Sequence, residues 1–185
     1  MAGAGRQPRT LPGAPAMKVM FTAGTQFAFP RMAEVVQGVA RLQPEWALVF
    51  QAGPGATLET FTEFSNVQAA ELFTADRFQE FFDAADLVVT HAGMGNIIAC
   101  LEHGKPCMLL PRQARLGEHR NDHQIDTARA ITQRYPVPVF NDTASLAAAV
   151  LAPANWPVGL KDAPSQMVTA RAEFTKGLNQ LLQVL

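Results

Sequence analysis

The chain has few of the features that mark secreted, membrane-spanning or nucleic-acid-binding proteins. It holds two cysteines, Cys100 and Cys107, without CxxC spacing. Two small buried thiols in a reducing compartment fit that count, whereas a disulfide framework does not. A zinc site would need further Cys or His at ligand spacing; His119 and His123 share one helical face, but no convincing third ligand accompanies them. No run reaches the ~20 apolar residues of a membrane span. Fifteen Lys and Arg against 16 Asp and Glu leave a formal charge of −1, so no global field argues for nucleic acid or a charged membrane surface. No Asp-x-Asp pair is present to hold a divalent ion on a diphosphate. Neither a metal nor another cofactor is therefore expected.

What remains is enough for one full domain: 185 residues, 48% of them hydrophobic. Residues 1–16 are rich in Pro, Gly and Ala, carry two arginines and have no apolar core segment. They read as a disordered extension and not as a signal peptide. The folded domain is expected over 17–152, a linker over 153–164, and a terminal helix over 165–185. On that helix Met167, Ala170, Phe174, Leu178 and Leu181 would form one stripe.

Within the domain, short apolar runs alternate with helical periodicity. Strands are expected at Lys18–Ala23, Ala47–Gln51, within Val67–Phe73, at Leu87–Thr90 and Cys107–Leu110, and a short edge strand at Val137–Phe140, where Pro138 cannot donate to a ladder. Helices are expected from Pro30 to Leu42, Asp76 to Ala85, Ile97 to Glu102, Asp122 to Arg134 and Thr143 to Val150. The stretch Ala56–Phe64 is ambiguous. Phe78, Phe81 and Phe82 stand at i, i+3 and i+4, a core stripe. Such alternation implies an α/β fold: a doubly wound parallel sheet in a single Rossmann-like domain, with ligand at the carboxyl ends of the strands.

The chemistry concentrates between Asp86 and Gln124. The run Leu87-Val-Val-Thr90 ends at His91 and passes through Gly93, Met94 and Gly95 to Asn96, which is expected to cap the next helix. Strand, glycine turn and helix N-terminus make a cradle for an anion, because glycine admits close approach and the free N–H groups and helix dipole favour negative charge. A second strand leads to Pro111-Arg112-Gln113 and then Glu118-His-Arg-Asn-Asp-His-Gln124, seven consecutive residues able to hydrogen-bond. Of these Glu118, His119, Asn121, Asp122 and Gln124 are taken as ligand-reading groups. Gly24, Thr25 and Gln26 form another strand-to-helix turn on the same edge.

In order along the chain, Phe21-Thr-Ala-Gly-Thr-Gln-Phe27, His91-Ala-Gly-Met-Gly95, His103-Gly-Lys-Pro106 and Gly117-Glu-His-Arg-Asn-Asp-His-Gln124 resemble the C-terminal, nucleotide-sugar-binding half of glycosyltransferase family 28 enzymes, which have the GT-B architecture. The resemblance spans roughly Met17 to Ile131. It is strongest to the small donor-binding subunits of split bacterial exopolysaccharide transferases (PssE-type), and extends to the soluble subunit of the transferase that adds the second GlcNAc to dolichol. It implies a UDP-sugar donor held at its diphosphate by Gly93–Asn96 and His91, with the Gly24–Gln26 loop beside diphosphate and sugar and the backbone near Phe73 at the uracil. It also implies hexosyl transfer only with a membrane-anchored partner, which supplies the catalytic base and a lipid-linked acceptor at the inner face of the membrane. One departure stands out: Ala99 replaces the Glu that many members use on the ribose. Two other functions fit the same motifs, a fragment related to UDP-sugar epimerases and a non-catalytic nucleotide-binding regulator.

Overall fold

The computed structural model describes residues 16–169. Five strands, β1 (Lys18–Thr22), β2 (Ala47–Gln51), β3 (Val67–Ala70), β4 (Leu87–Thr90) and β5 (Cys107–Leu109), form one sheet in the order β3-β2-β1-β4-β5. Every pair is parallel. Parallel strands bury both faces, which is why β4 reads as an unbroken apolar run and is buried at each position.

One face of the sheet carries α1 (Pro30–Leu42) and α5 (Thr143–Val150), packed through Met32, Val35, Val36, Val39, Leu146 and Val150 against Val19, Phe21, Leu48 and Phe50. The other carries α2 (Ala75–Ala84), α3 (Met94–Glu102) and α4 (His123–Thr132) around Met20, Val88, Cys107 and Leu109. Both thiols are buried there as free cysteines. Among the described residues no helix is long and apolar enough to cross a membrane.

Local chemistry sets the ends of these elements. Pro30 opens α1 at its first turn. The hydroxyl of Thr74 accepts the amide of Arg77 and starts α2 one residue before the expected Asp76. Asp142 caps α5 by accepting the amide of Ser145 at 2.8 Å. The ambiguous stretch after β2 contains a 3-10 turn, Glu59–Phe61, that buries Phe61.

The edge strand expected at Val137–Phe140 is reduced to one parallel bridge, Leu109 to Val139. The amide of Leu109 donates to the Pro138 carbonyl and the Phe140 amide donates to Leu109. Pro138 can accept but not donate, so the ladder stops there. In 153–164 the chain makes two short 3-10 turns and buries Trp156 and Leu160, with the Trp156 indole donating to the Val150 carbonyl at 2.9 Å. Residues 163–169 are helical, and the Tyr135 hydroxyl donates to the Met167 sulfur. The extension at 1–15 and the stripe residues Ala170, Phe174, Leu178 and Leu181 lie outside the described residues.

Candidate functional site

The strand order reverses between β1 and β4, and at that point their C-terminal loops diverge and open a crevice. A cavity of about 830 Å³ fills it. Gly24 to Phe27 line one wall and His91 to Asn96 the next. Phe73, Phe78 and Gln79 close the side towards α2, and Arg112, His119, His123, Gln124 and Thr127 the side towards α4.

His91 stands at the centre. A Cβ on Gly24 would lie 2.5 Å from its Cε1, and one on Gly93 would lie 2.7 Å from the same atom. Both glycines are thus required by the ring, and Gly24 additionally by its φ of +83°. Gly95 differs: a Cβ there would meet nothing within 4 Å. Its small size leaves the cavity open and is not needed for packing. Burial, reinforced by the charge of Arg112, pulls the His91 pKa down to about 4, so the imidazole is neutral at pH 7.

Two runs of backbone amides face no acceptor. Gly93 is the N-cap of α3, which begins at Met94, and the first amide of this helix with a partner is that of Ile97. The N–H groups of Met94, Gly95 and Asn96 therefore take no hydrogen bond among the described residues, and neither do those of Thr25, Gln26 and Phe27. Asn96 is not the expected cap. It lies in the first turn of α3, and its side chain donates to the Thr90 hydroxyl at 2.9 Å, tying the helix to the end of β4.

The polar loop divides in two. His119 and Gln124 reach the cavity wall, with His119 and His123 in an edge-to-face pair whose ring centres are 4.4 Å apart. Burial and the neighbouring His123 lower the His119 pKa. The amide oxygen of buried Gln124 accepts the Arg112 N–H at 3.0 Å. Glu118, Asn121 and Asp122 do not line the cavity. Glu118 makes a two-pronged ion pair with Arg31, both contacts at 2.6 Å, and also accepts the amide of Gln113. Asp122 accepts the Ala114 amide at 2.8 Å, and Asn121 pairs with the His123 ring. These carboxylates hold the loop's shape, because a short loop packed at a strand end must satisfy its own backbone donors.

Several lining residues were not assigned to the site from the sequence, among them Gln51, Phe78 and Arg112. Gln51, at the end of β2, donates to the Gly24 carbonyl and accepts the Phe73 amide, both at 3.1 Å, bracing the two loops from inside. Phe78 packs against the core together with Phe81 and buried Phe82, as its stripe predicts, and also lines the cavity. Arg112 is buried to 2% exposure beneath the cavity floor. A glutamine ending an otherwise apolar strand was the one available signal.

A pocket ringed by free amides, with no carboxylate among its lining residues, suits a polyanionic ligand. Residues 18–152 match the family model described as the glycosyltransferase family 28 C-terminal domain. The chain belongs to that family. An uncharacterized glycosyltransferase of Methanosarcina acetivorans is 30% identical over 89 residues, 48% of this chain and 23% of the relative. Among solved structures, the fold is similar to that of Acinetobacter baumannii MurG, with a TM-score of 0.61 and 13% identity, over 83% of this chain and 46% of that one. It is also similar to the solution structure of ALG13, with a TM-score of 0.50 and 18% identity, over 74% of this chain and 85% of that one. The chain thus spans less than half the length of the glycosyltransferase relative and of MurG, but most of ALG13. The sheet and helices described above are those of a GT-B glycosyltransferase C-terminal domain.

Proposed function

We propose that this domain binds the UDP-sugar donor of a two-component glycosyltransferase that passes a hexose to a lipid-linked acceptor in exopolysaccharide synthesis. The observation that carries the reading is the convergence of two free amide runs, Thr25–Phe27 and Met94–Asn96, on one cavity around His91. A nucleoside diphosphate fits that convergence. The amides and the start of α3 take the diphosphate, and their dipoles are already aimed at the charge that grows on it as the sugar departs. Phe73 and Phe78 offer apolar faces to the base at the far end. His119, Gln124 and Thr127 stand towards the sugar.

The ribose has no carboxylate to meet at Ala99, a half-buried residue of α3 outside the cavity wall. Its hydroxyls fall to neighbouring polar groups such as Gln79. The base that deprotonates the acceptor is assigned to a membrane-anchored partner that also presents the lipid-linked acceptor and draws this cytoplasmic domain to the inner face of the membrane. Supporting this division are the resemblance to split donor-binding subunits and a fold overlap that covers 85% of ALG13.

Co-expression with a candidate acceptor subunit, assayed for UDP release with and without lipid acceptor, tests the assignment. Release that requires both the partner and the acceptor is expected. Transfer to lipid by this chain alone overturns the two-component reading.

A further inference from the structure

Arg112 accounts for how the Gly24–Phe27 loop keeps its amides free. One Nη donates to the Ala28 carbonyl at 2.8 Å and to that of Glu118 at 3.4 Å; the other donates to Ala23 at 2.9 Å and to Phe27 at 2.6 Å. Three of those four acceptors belong to the segment joining β1 to α1. The guanidinium also stacks over Phe29, 4.4 Å from its ring centre, and its own amide is fixed by Gln124. The nearby carboxylate of Glu118 is turned onto Arg31 and not onto Arg112. A buried cation whose hydrogen bonds all go to carbonyls is costly unless the backbone holding them is in one conformation.

We infer that Arg112 is a positioning residue for donor binding: it gathers the negative ends of the β1–α1 peptides behind the cavity, so that the loop presents free N–H groups to a diphosphate. The inference rests on the donor-site reading above. It gives one residue two effects on the ligand. The fork fixes the loop, and the charge adds positive potential beneath the anion, the same potential that, after burial, helps to lower the pKa of His91. Lysine keeps the charge, but its single ammonium cannot occupy both Nη positions from which the fork reaches four carbonyls.

The test is calorimetry of UDP and UMP on the full chain, wild type against Arg112→Lys, with folding checked by circular dichroism. UDP affinity is expected to fall about tenfold or more in the folded variant, with a smaller loss for UMP, so that the UDP-to-UMP ratio drops. A folded variant with the wild-type ratio overturns the inference while the donor site stands. Failure of the wild-type chain to bind UDP brings down the donor-site reading, and this inference with it. Should Arg112→Lys not fold, the wild-type guanidinium decides by NMR. Separate, slowly exchanging Nη signals support a fork locked on carbonyls, and a single averaged signal overturns it.

Discussion

The imidazole of His91 occupies the space that a side chain at Gly93 would need. A Cβ there would stand 2.7 Å from Cε1 and closer still to Nε2. Gly93 has a φ of −83°, which any residue can adopt, so the constraint is contact and not backbone conformation. Gly93→Ala should therefore push the ring out of place at a cost of about 1–3 kcal/mol in stability, and UDP binding should weaken at least tenfold. Thermal unfolding and calorimetry on the same sample check both effects. Unchanged affinity would detach His91 from the site.

The depressed pKa of His91 makes stability depend on pH. Its folded value, about 4, lies below the ordinary histidine value of 6.5, so between these the unfolded chain binds a proton that the native chain does not. Stability from this group is complete above about pH 6.5 and is lost as pH falls towards 4, by up to about 3 kcal/mol. The pKa of His119 is lowered too and acts in the same direction, so the His91 share is the difference between wild type and His91→Gln. Urea unfolding at pH 7 and pH 4.5 should show a smaller loss in the variant. Equal losses would contradict the buried, neutral ring.

Glu118 separates a ligand role from a structural one. Its carboxylate and Arg31 are 7% and 14% exposed, and the pair joins the polar loop to the start of α1. Glu118→Ala should cost about 2–4 kcal/mol, because Arg31 is left without its counter-charge. Denaturant unfolding measures that loss. Full stability with reduced sugar-nucleotide affinity would return Glu118 to the ligand.

The sheet was legible from sequence because parallel strands buried on both faces read as near-continuous apolar runs, as Leu48–Phe50 of β2 and Leu87–Val89 of β4 do. The strand-to-helix turn was legible too, since Gly93 and Gly95 mark the point where β4 gives way to α3. What escaped depends on side-chain direction, which spacing does not report. Glu118 and Asp122 look like ligand groups in the sequence, yet both turn to backbone or to Arg31. Gln51 and Arg112 lie 61 residues apart and meet the same β1–α1 loop only after the sheet has closed. Asn96 was taken for a helix cap because its type favours caps, but the helix begins earlier, at Met94, where Gly93 can take the extended N-cap conformation.

Gly95 offers the most direct test of the cradle. Space around it is open within 4 Å, so a larger side chain there does not disturb packing. Its amide is one of the three free donors at the start of α3. Calorimetric titration of UDP into wild type and Gly95→Asp, with matched unfolding curves, isolates binding from folding. The account predicts that the wild type binds UDP and that the aspartate variant, folded to the same degree, does not, because its carboxylate stands where the diphosphate belongs. Equal UDP affinity in the two proteins would contradict the anion cradle and the donor-binding function built on it.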